Sequence, residues 1–225
     1  LRAVSAICGR AAERRGKGVP RFLEARYRFF NKHLFSAVKR AMGITHGNIF
    51  PTAGAPLSPA IVEFFHAMGV NIVIGYGLSE TTATVSCFPY VNYEIGTVGT
   101  PLEGPQVKLG AENEILVKGP TVMRGYFNKP EETAEVFTAD GWFRTGDAGR
   151  IDDSGAIILT ERLKDLFKTS NGKYIAPQAI ESRLGEDKYI DQVAVIGDSR
   201  KYVTAIIVPA IEAIKEYARR KQIQY

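Results

Sequence analysis

The feature that most constrains this chain is a short apolar run that ends in a glycine-rich loop. Residues 70–74 read VNIVI, which is too short for a helix and rich in β-branched side chains, and residues 75–82 read GYGLSETT. Such a run favours a strand, and glycines directly after it favour a turn. We therefore predict a strand over residues 70–74 that leads into a loop over residues 75–82, called the GYG loop below.

The GYG loop carries groups that could hold a nucleotide. Gly75 and Gly77 let the backbone approach a ligand closely, and Tyr76 offers an aromatic face. Ser79 supplies a hydroxyl and Glu80 a hard oxygen ligand for Mg²⁺. A polar turn with no ligand explains these eight residues equally well, so the loop alone leaves both interpretations open.

A second strand and a helix precede the GYG loop. Residues 47–57 predict a strand that ends in a glycine and proline turn, and a helix follows over residues 58–68. The order strand, helix, strand predicts a βαβ unit whose two strand ends lie side by side. This arrangement places three turn residues beside Tyr76, namely Gly54, Ala55 and Pro56. A tight turn built for backbone reasons alone is the alternative for this segment.

Two amphipathic helices are predicted from apolar residues at helical spacing. The buried stripe of the helix over residues 21–42 is predicted to be Leu23, Tyr27, Phe30, Leu34 and Val38. The buried stripe of the helix over residues 58–68 is predicted to be Ile61, Phe64, Phe65 and Met68.

Positive charge is concentrated at the start of the chain. Residues 1–40 hold eleven basic and two acidic residues, a net of +9, which leaves −4 for the rest of this +5 chain. A solvated helix face is the favoured interpretation, and contact with an anionic membrane is the alternative. No nucleic-acid-binding motif accompanies the charge, so we expect no nucleic-acid partner.

Location is predicted from what the sequence lacks. No apolar stretch is long enough for a membrane span, and no secretion signal is recognisable. Cys8 and Cys87 have no metal-site spacing, so both are expected to be reduced. We predict a cytoplasmic protein, with a peripheral position at the membrane as the alternative. Because the chain starts at Leu1, we expect it to be part of a longer protein.

Three blocks together resemble the adenylate-forming enzymes, the superfamily of acyl-CoA synthetases, peptide-synthetase adenylation domains and luciferases. The blocks are the GYG loop, residues 140–147 (DGWFRTGD) and residues 161–181 (ERLKDLFKTSNGKYIAPQAIE). The last block and the MRGYFNKP stretch at residues 123–130 look most similar to long-chain fatty acyl-CoA synthetases. Ser79 stands where the family more often has threonine, which keeps the hydroxyl.

The resemblance implies a role for each site residue. Around the adenylate, Tyr76 flanks adenine in a pocket lined by Gly54, Ala55 and Pro56, Ser79 touches the α-phosphate, and Glu80 holds Mg²⁺. Asp147 binds the ribose hydroxyls, and Arg162 contacts ribose and phosphate. Lys164 is the interdomain hinge, while Lys168 and Gly172 face the active site during thioester formation, where glycine leaves room for pantetheine. The implied cofactors are ATP or AMP, Mg²⁺ and coenzyme A.

The expected fold is α/β with a small β-rich subdomain, followed by a small α+β C-terminal domain. We assign residues 1–92 to the large AMP-binding domain, residues 93–161 to its β-rich subdomain and residues 162–225 to the hinge and C-terminal domain. Short strands at residues 106–109, 114–118 and 156–160, with a helix near residues 130–137, support the β-rich part.

The resemblance implies a long-chain fatty acid–CoA ligase whose substrates are a fatty acid, ATP and CoA. The phosphate-binding loop and the late catalytic lysine of the family are absent from these 225 residues, so we expect the isolated chain to be inactive. Two alternatives stay open. One is another acid–thiol ligase or adenylation domain, and the other is a non-catalytic nucleotide-binding or membrane-associated module.

Overall fold

The computed structural model describes residues 18–44, 46, 49–89 and 92–223. These residues form two compact units. The first holds the described chain up to Thr145 together with Gly149–Leu159, and the second holds Gly146–Ala148 and the described chain from Thr160 onward. Cys8 lies outside the described residues, and Cys87 is a free thiol. Among the described helices, none has the length and apolar character to cross a membrane.

The first unit begins with a helix that changes pitch. Helix α1 (Arg21–Phe30) continues through a π-helical turn (Asn31–Phe35) into α2 (Ser36–Ala41). The predicted burial of Leu34 is wrong, since this side chain is 52% exposed and Phe35 is buried instead. A π-helical turn holds one more residue than an α-helical turn, so it moves the buried stripe one position along the chain. Phe35 then packs with Met68 and Val70.

The predicted βαβ unit is confirmed. Strand β1 (Ile49–Thr52), helix α3 (Pro59–Ala67) and strand β2 (Asn71–Tyr76) follow in order. The two strands pair in parallel from Ile49 opposite Asn71 to Thr52 opposite Ile74. Two short antiparallel strands, β3 (Ser86–Cys87) and β4 (Thr100–Pro101), extend this sheet in the order β1-β2-β3-β4.

The buried face of α3 matches the predicted one at two of four positions. Met68 is buried and Phe65 packs against its cluster, as predicted. Ile61 and Phe64 are instead exposed, while Val62 and His66 are almost fully buried. The observed stripe begins one residue further along the chain than the predicted one, and both stripes satisfy helical periodicity. A specific contact selects the observed one, because His66 Nε2 lies 2.9 Å from the carbonyl oxygen of Ile72 on β2.

The β-rich segment forms a second four-stranded sheet in the order β5-β6-β7-β8. Its strands are β5 (Gln106–Leu109), β6 (Glu114–Lys118), β7 (Phe143–Ile151) and β8 (Ile157–Arg162), and helix α4 (Pro130–Glu135) interrupts the strand order after β6. The predicted strands and helix are therefore confirmed. Ile115, Val117 and Ile157 are fully buried in the same apolar cluster as Tyr76 and Val85.

The second unit is a small α+β structure. Strands β9 (Phe167–Lys168) and β10 (Tyr174–Ile175) form a hairpin, and α5 (Pro177–Leu184), β11 (Ile190–Ile196), β12 (Thr204–Pro209) and α6 (Ile211–Lys221) follow. Strands β11 and β12 pair in antiparallel fashion. The Glu181 carboxylate of α5 accepts a hydrogen bond of 2.7 Å from the backbone N–H of Val195. The predicted fold class is thus present in both units.

Candidate functional site

The GYG loop leaves β2 at Tyr76 and turns sharply within a few residues. Residues Ser79–Thr81 form a 3₁₀ turn. The buried Thr81 hydroxyl accepts a hydrogen bond from the Leu78 N–H at 2.9 Å and donates one to the Leu78 carbonyl at 3.0 Å. Thr81 therefore fixes the turn, and the neighbouring Ser79 remains exposed.

The two glycines of the loop differ in how much space a side chain would have. A Cβ atom on Gly77 would lie 1.8 Å from the Ala83 carbonyl oxygen, a distance that no side chain can occupy. A Cβ atom on Gly75 would lie 3.4 Å from the Ser86 carbonyl oxygen, which is ordinary contact. The chain thus folds back so tightly at Gly77 that only glycine fits, whether or not a ligand also approaches there.

Tyr76 is packed into the protein more deeply than the sequence indicated. Its side chain is only 7% exposed and belongs to the cluster that contains Val85 and Ile115. The ring thereby anchors the end of β2 to β6, which carries Ile115 and Val117. Its predicted contact with adenine stays a prediction.

Glu80 is held by residues of the MRGYFNKP stretch. The Tyr126 hydroxyl donates a 2.9 Å hydrogen bond to Glu80 Oε1, and the Met123 N–H donates a 2.7 Å hydrogen bond to the Glu80 carbonyl oxygen. Burial, the hydrogen bond to Glu80 and the negative charge of Glu80 together raise the pKa of the Tyr126 phenol. Nothing in the local pattern indicates this pair, since 46 residues separate its members.

The Glu80 carboxylate has one oxygen that could bind a metal ion. Oε1 accepts the Tyr126 hydrogen bond, and Oε2 has no hydrogen-bond or ion-pair partner among the described residues. The described part of the chain contains no group of three or more His, Cys, Asp or Glu side chains that could hold a metal ion. Mg²⁺ typically binds one or two carboxylates, substrate phosphates and water, so a single carboxylate such as that of Glu80 could supply one of its ligands.

The turn at Gly54, Ala55 and Pro56 follows β1 and is exposed. Gly54 has a φ of +90°, which favours glycine. Because β1 and β2 are parallel and Thr52 lies opposite Ile74, this turn and the GYG loop leave the same edge of the sheet. The predicted side-by-side strand ends are confirmed, and an adenine pocket between the two turns stays a prediction.

Asp147 and Arg162 come together within the second unit. Asp147 lies on β7 with its side chain 15% exposed, and Arg162 ends β8. Their closest ion-pair atoms, Arg162 Nε and Asp147 Oδ1, are 3.6 Å apart. A carboxylate and a guanidinium at this spacing offer acceptors for ribose hydroxyls and a positive charge for a phosphate.

The remaining predicted residues lie after β8. Lys164 is exposed in a 3₁₀ turn (Leu163–Asp165) that joins β8 to the β9–β10 hairpin. Lys168 is exposed on β9, and its Nζ lies 5.4 Å from the centre of the Tyr174 ring. Gly172 has a φ of +81°, and a Cβ there would meet only Lys168 Cε at 3.7 Å. Backbone conformation, not lack of space, therefore favours glycine at this position.

The GYG loop belongs to the first unit, whereas Asp147, Arg162, Lys164, Lys168 and Gly172 belong to the second. The structure brings Glu80 together with Tyr126, and Asp147 together with Arg162. Convergence of all the predicted residues around one nucleotide stays a prediction.

Two family models match the chain. The AMP-binding enzyme model matches residues 16–127, and the model of the AMP-binding enzyme C-terminal domain matches residues 164–224. Together the matches span about three quarters of the sequence.

Similar curated proteins carry ligase names. A long-chain-fatty-acid–CoA ligase of Mycobacterium bovis is 35% identical over 212 residues, which are 93% of this chain and 34% of that protein. Long-chain-fatty-acid–CoA ligase 5 of Rattus norvegicus is 35% identical over 204 residues, 85% of this chain and 30% of that protein. The chain therefore spans about a third of the length of these relatives.

Solved structures share the fold. An ATP-bound RpMatB-BxBclM chimera is 31% identical with a TM-score of 0.65, and the match covers 82% of this chain and 40% of that chain. The o-succinylbenzoate–CoA synthetase of Bacillus subtilis, in complex with its acyl-adenylate intermediate, gives a TM-score of 0.66 at 22% identity. That match covers 86% of this chain and 46% of the synthetase, and at this identity it supports the fold alone.

Proposed function

Because this chain belongs to the AMP-binding enzyme family, we propose that it is part of an ATP-dependent long-chain fatty acid–CoA ligase. The observation that carries the proposal is the 35% identity to a long-chain-fatty-acid–CoA ligase over 93% of the chain. The proposed substrates are a fatty acid, ATP and CoA. The comparisons do not support contact of the N-terminal helix with anionic lipid, and a cytoplasmic location stays a prediction.

The proposed reaction has two steps. In the first, a carboxylate oxygen of the fatty acid attacks the α-phosphorus of ATP, and pyrophosphate leaves as acyl-AMP forms. In the second, the CoA thiol loses its proton and attacks the acyl carbon, and AMP leaves as the thioester forms. The first step brings two anions together, so the protein must offset negative charge and hold both reactants in place.

In the first unit, the proposed nucleotide site lies at the edge shared by the GYG loop and the Gly54 turn. Glu80 provides one metal ligand, and Ser79 provides an exposed hydroxyl donor for the α-phosphate. Tyr76 and the turn at Gly54, Ala55 and Pro56 bound the adenine. When bound, Mg²⁺ offsets the negative charge of the phosphates. The tight turns at Gly77 and Thr81 support this assignment, because they fix the backbone on both sides of these donors.

In the second unit, Asp147 accepts hydrogen bonds from the ribose hydroxyls, and Arg162 contacts ribose and phosphate. The 3.6 Å ion pair between them supports this role, because it keeps both side chains in one place before the nucleotide arrives. For the second step, we propose that a rotation at Lys164 presents the hairpin of Lys168 and Gly172 to the thioester reaction. The exposed position of Lys164 in the turn after β8 is compatible with such a hinge.

The test uses the full-length protein that carries this chain. Formation of palmitoyl-AMP is followed by ATP–pyrophosphate exchange, and palmitoyl-CoA is measured separately. Asp147→Asn keeps the side-chain shape but removes the charge, so exchange is expected to fall roughly tenfold to a hundredfold, as for a lost hydrogen bond to a charged group. Asp153→Asn, on the exposed β7–β8 turn, is the matched control and should keep the wild-type rate.

A second variant separates the two steps. Lys164→Pro is expected to retain pyrophosphate exchange and to lose palmitoyl-CoA formation, since it stiffens only the proposed hinge. Exchange with an aromatic or short acid but not with palmitate would identify a different acid–thiol ligase. Nucleotide binding without exchange for any acid would identify a non-catalytic module and overturn the proposal.

A further inference from the structure

Residues 121–126 lie against the GYG loop through three hydrogen bonds. Thr82 Oγ1 donates to the Thr121 carbonyl at 2.7 Å, the Met123 N–H donates to the Glu80 carbonyl at 2.7 Å, and the Tyr126 hydroxyl donates to Glu80 Oε1 at 2.9 Å. The first two involve backbone atoms and fix the path of the loop. Only the third acts on the side chain of the proposed metal ligand.

The backbone of Tyr126 is held in turn by Thr133 of helix α4. Its backbone N–H donates a 2.9 Å hydrogen bond to Thr133 Oγ1, and the Thr133 hydroxyl donates to the Lys129 carbonyl at 2.6 Å. The preceding Gly125 lies so close to Thr133 that a Cβ atom would be 2.6 Å from Thr133 Cγ2. A continuous set of contacts therefore runs from α4 through Tyr126 to the Glu80 carboxylate.

A glutamate side chain has several rotatable bonds, and a half-buried carboxylate without a partner would sample several orientations. The hydrogen bond from Tyr126 removes that freedom. It engages Oε1 and leaves Oε2 without a partner among the described residues, so one oxygen is held while the other is available to a cation. Carboxylates that bind metals commonly accept such an outer hydrogen bond, which orients them.

We propose that Tyr126 is a positioning residue whose hydroxyl orients Glu80 toward a divalent cation carried by the nucleotide phosphates. This inference rests on the proposed function of Glu80. Tyr126 acts through the carboxylate and does not touch the reacting atoms. The segment around it thus contributes to metal binding in addition to its place in the fold.

The experiment measures cation binding directly in the full-length protein. Mn²⁺ is titrated and followed by electron paramagnetic resonance in the presence of α,β-methylene-ATP, which cannot release pyrophosphate. Tyr126→Phe removes one hydroxyl and is expected to raise the Mn²⁺ dissociation constant about tenfold, the size typical of a lost outer-sphere contact. Tyr93→Phe is the matched control, because it removes a tyrosine hydroxyl that lies 3.1 Å from His66 Nδ1 in the same unit.

A double-mutant cycle with Glu80→Ala tests whether Tyr126 acts through Glu80. The tenfold effect of Tyr126→Phe is expected to disappear when Glu80 is absent, since the two changes remove one shared interaction. Tyr126→Met also removes the hydroxyl and keeps a long apolar side chain that adapts to its surroundings. If Tyr126→Phe does not fold, Tyr126→Met carries the test, and wild-type Mn²⁺ affinity in the folded Met variant refutes the inference.

Each outcome has a distinct meaning. Wild-type Mn²⁺ affinity in Tyr126→Phe, or an equal loss with and without Glu80, overturns the positioning role and leaves the ligase proposal intact. Wild-type affinity in Glu80→Ala overturns the metal role of Glu80 itself, and the inference about Tyr126 falls with it. A lower melting temperature in Tyr126→Phe at unchanged Mn²⁺ affinity identifies a purely structural contact and also refutes the inference.

Discussion

Replacement of Gly77 by alanine should disrupt the GYG loop, whereas the same change at Gly75 should be tolerated. The added Cβ atom would lie 1.8 Å from the Ala83 carbonyl oxygen and 2.6 Å from its carbonyl carbon. To restore ordinary contact, the Ala83 peptide would have to move by roughly 1.5 Å. That peptide is held in place, because its N–H, which belongs to Thr84, donates a 3.1 Å hydrogen bond to the Thr82 carbonyl.

The size of the effect follows from this geometry. Overpacking of a well-packed region costs about 3 kcal/mol when the backbone has to shift. For a unit of this size, such a loss lowers the melting temperature by roughly 6–12 °C. At Gly75 the nearest atom to a new Cβ is the Ser86 carbonyl oxygen at 3.4 Å, and Gly75 is not among the positive-φ glycines, so the expected change is below about 1 kcal/mol.

The assay compares both variants with wild type in the full-length protein by differential scanning calorimetry. Binding of α,β-methylene-ATP is measured below the melting transition in the same samples. Gly77→Ala should melt earlier and bind the analogue more weakly, while Gly75→Ala should match wild type in melting. Equal melting temperatures for the two variants would refute the steric argument, as would a Gly77→Ala protein with wild-type stability.

Two further predictions concern the helix and a turn. Phe35→Ala should destabilise the first unit by about 3–5 kcal/mol because it empties a core position, whereas Leu34→Ala should cost less than about 1 kcal/mol. Urea unfolding measures both free energies, and a larger loss for Leu34→Ala than for Phe35→Ala would contradict the π-helical register. Hydrogen bonds from the Ser154 hydroxyl and from backbone N–H groups lower the pKa of Asp152 from its usual value of 3.8. The ionised carboxylate therefore stabilises the fold at any pH above 3.8, and this stabilisation is lost as the pH falls through the lowered pKa. Asp152→Asn should therefore melt earlier than wild type at pH 7 and approach it in strongly acidic buffer, and a difference that is constant with pH would refute the assignment.

Local sequence patterns were sufficient for most of the fold. The β-branched run before the GYG loop and the glycine and proline turn after β1 predicted the observed strands, because each signal lies within a few residues. The parallel pairing of β1 with β2 also followed, since a strand, a helix and a strand in close succession have few ways to pack. The three blocks likewise identified the family before any contact was known.

Other features depended on contacts that sequence spacing cannot show. The burial of Phe35 in place of Leu34 depends on a π-helical turn, which has no sequence signal of its own. On α3, two overlapping apolar stripes were available, and the contact between His66 and Ile72 selected one. Both cases concern a choice between neighbouring registers that differ little in local energy and much in packing.

In the candidate site, too, the chemical groups follow from the sequence and their orientation follows from tertiary contacts. Sequence alone predicted which residues could carry the chemistry, because the hydroxyl, carboxylate and glycine positions of the GYG loop are contiguous. Tertiary structure alone decided that Gly77 is required by the return of the chain at Ala83, and that the Tyr126 hydroxyl holds Glu80 across 46 residues. The physical reason is that side-chain chemistry is a property of each residue, whereas orientation is set by neighbours that only the folded chain brings into contact.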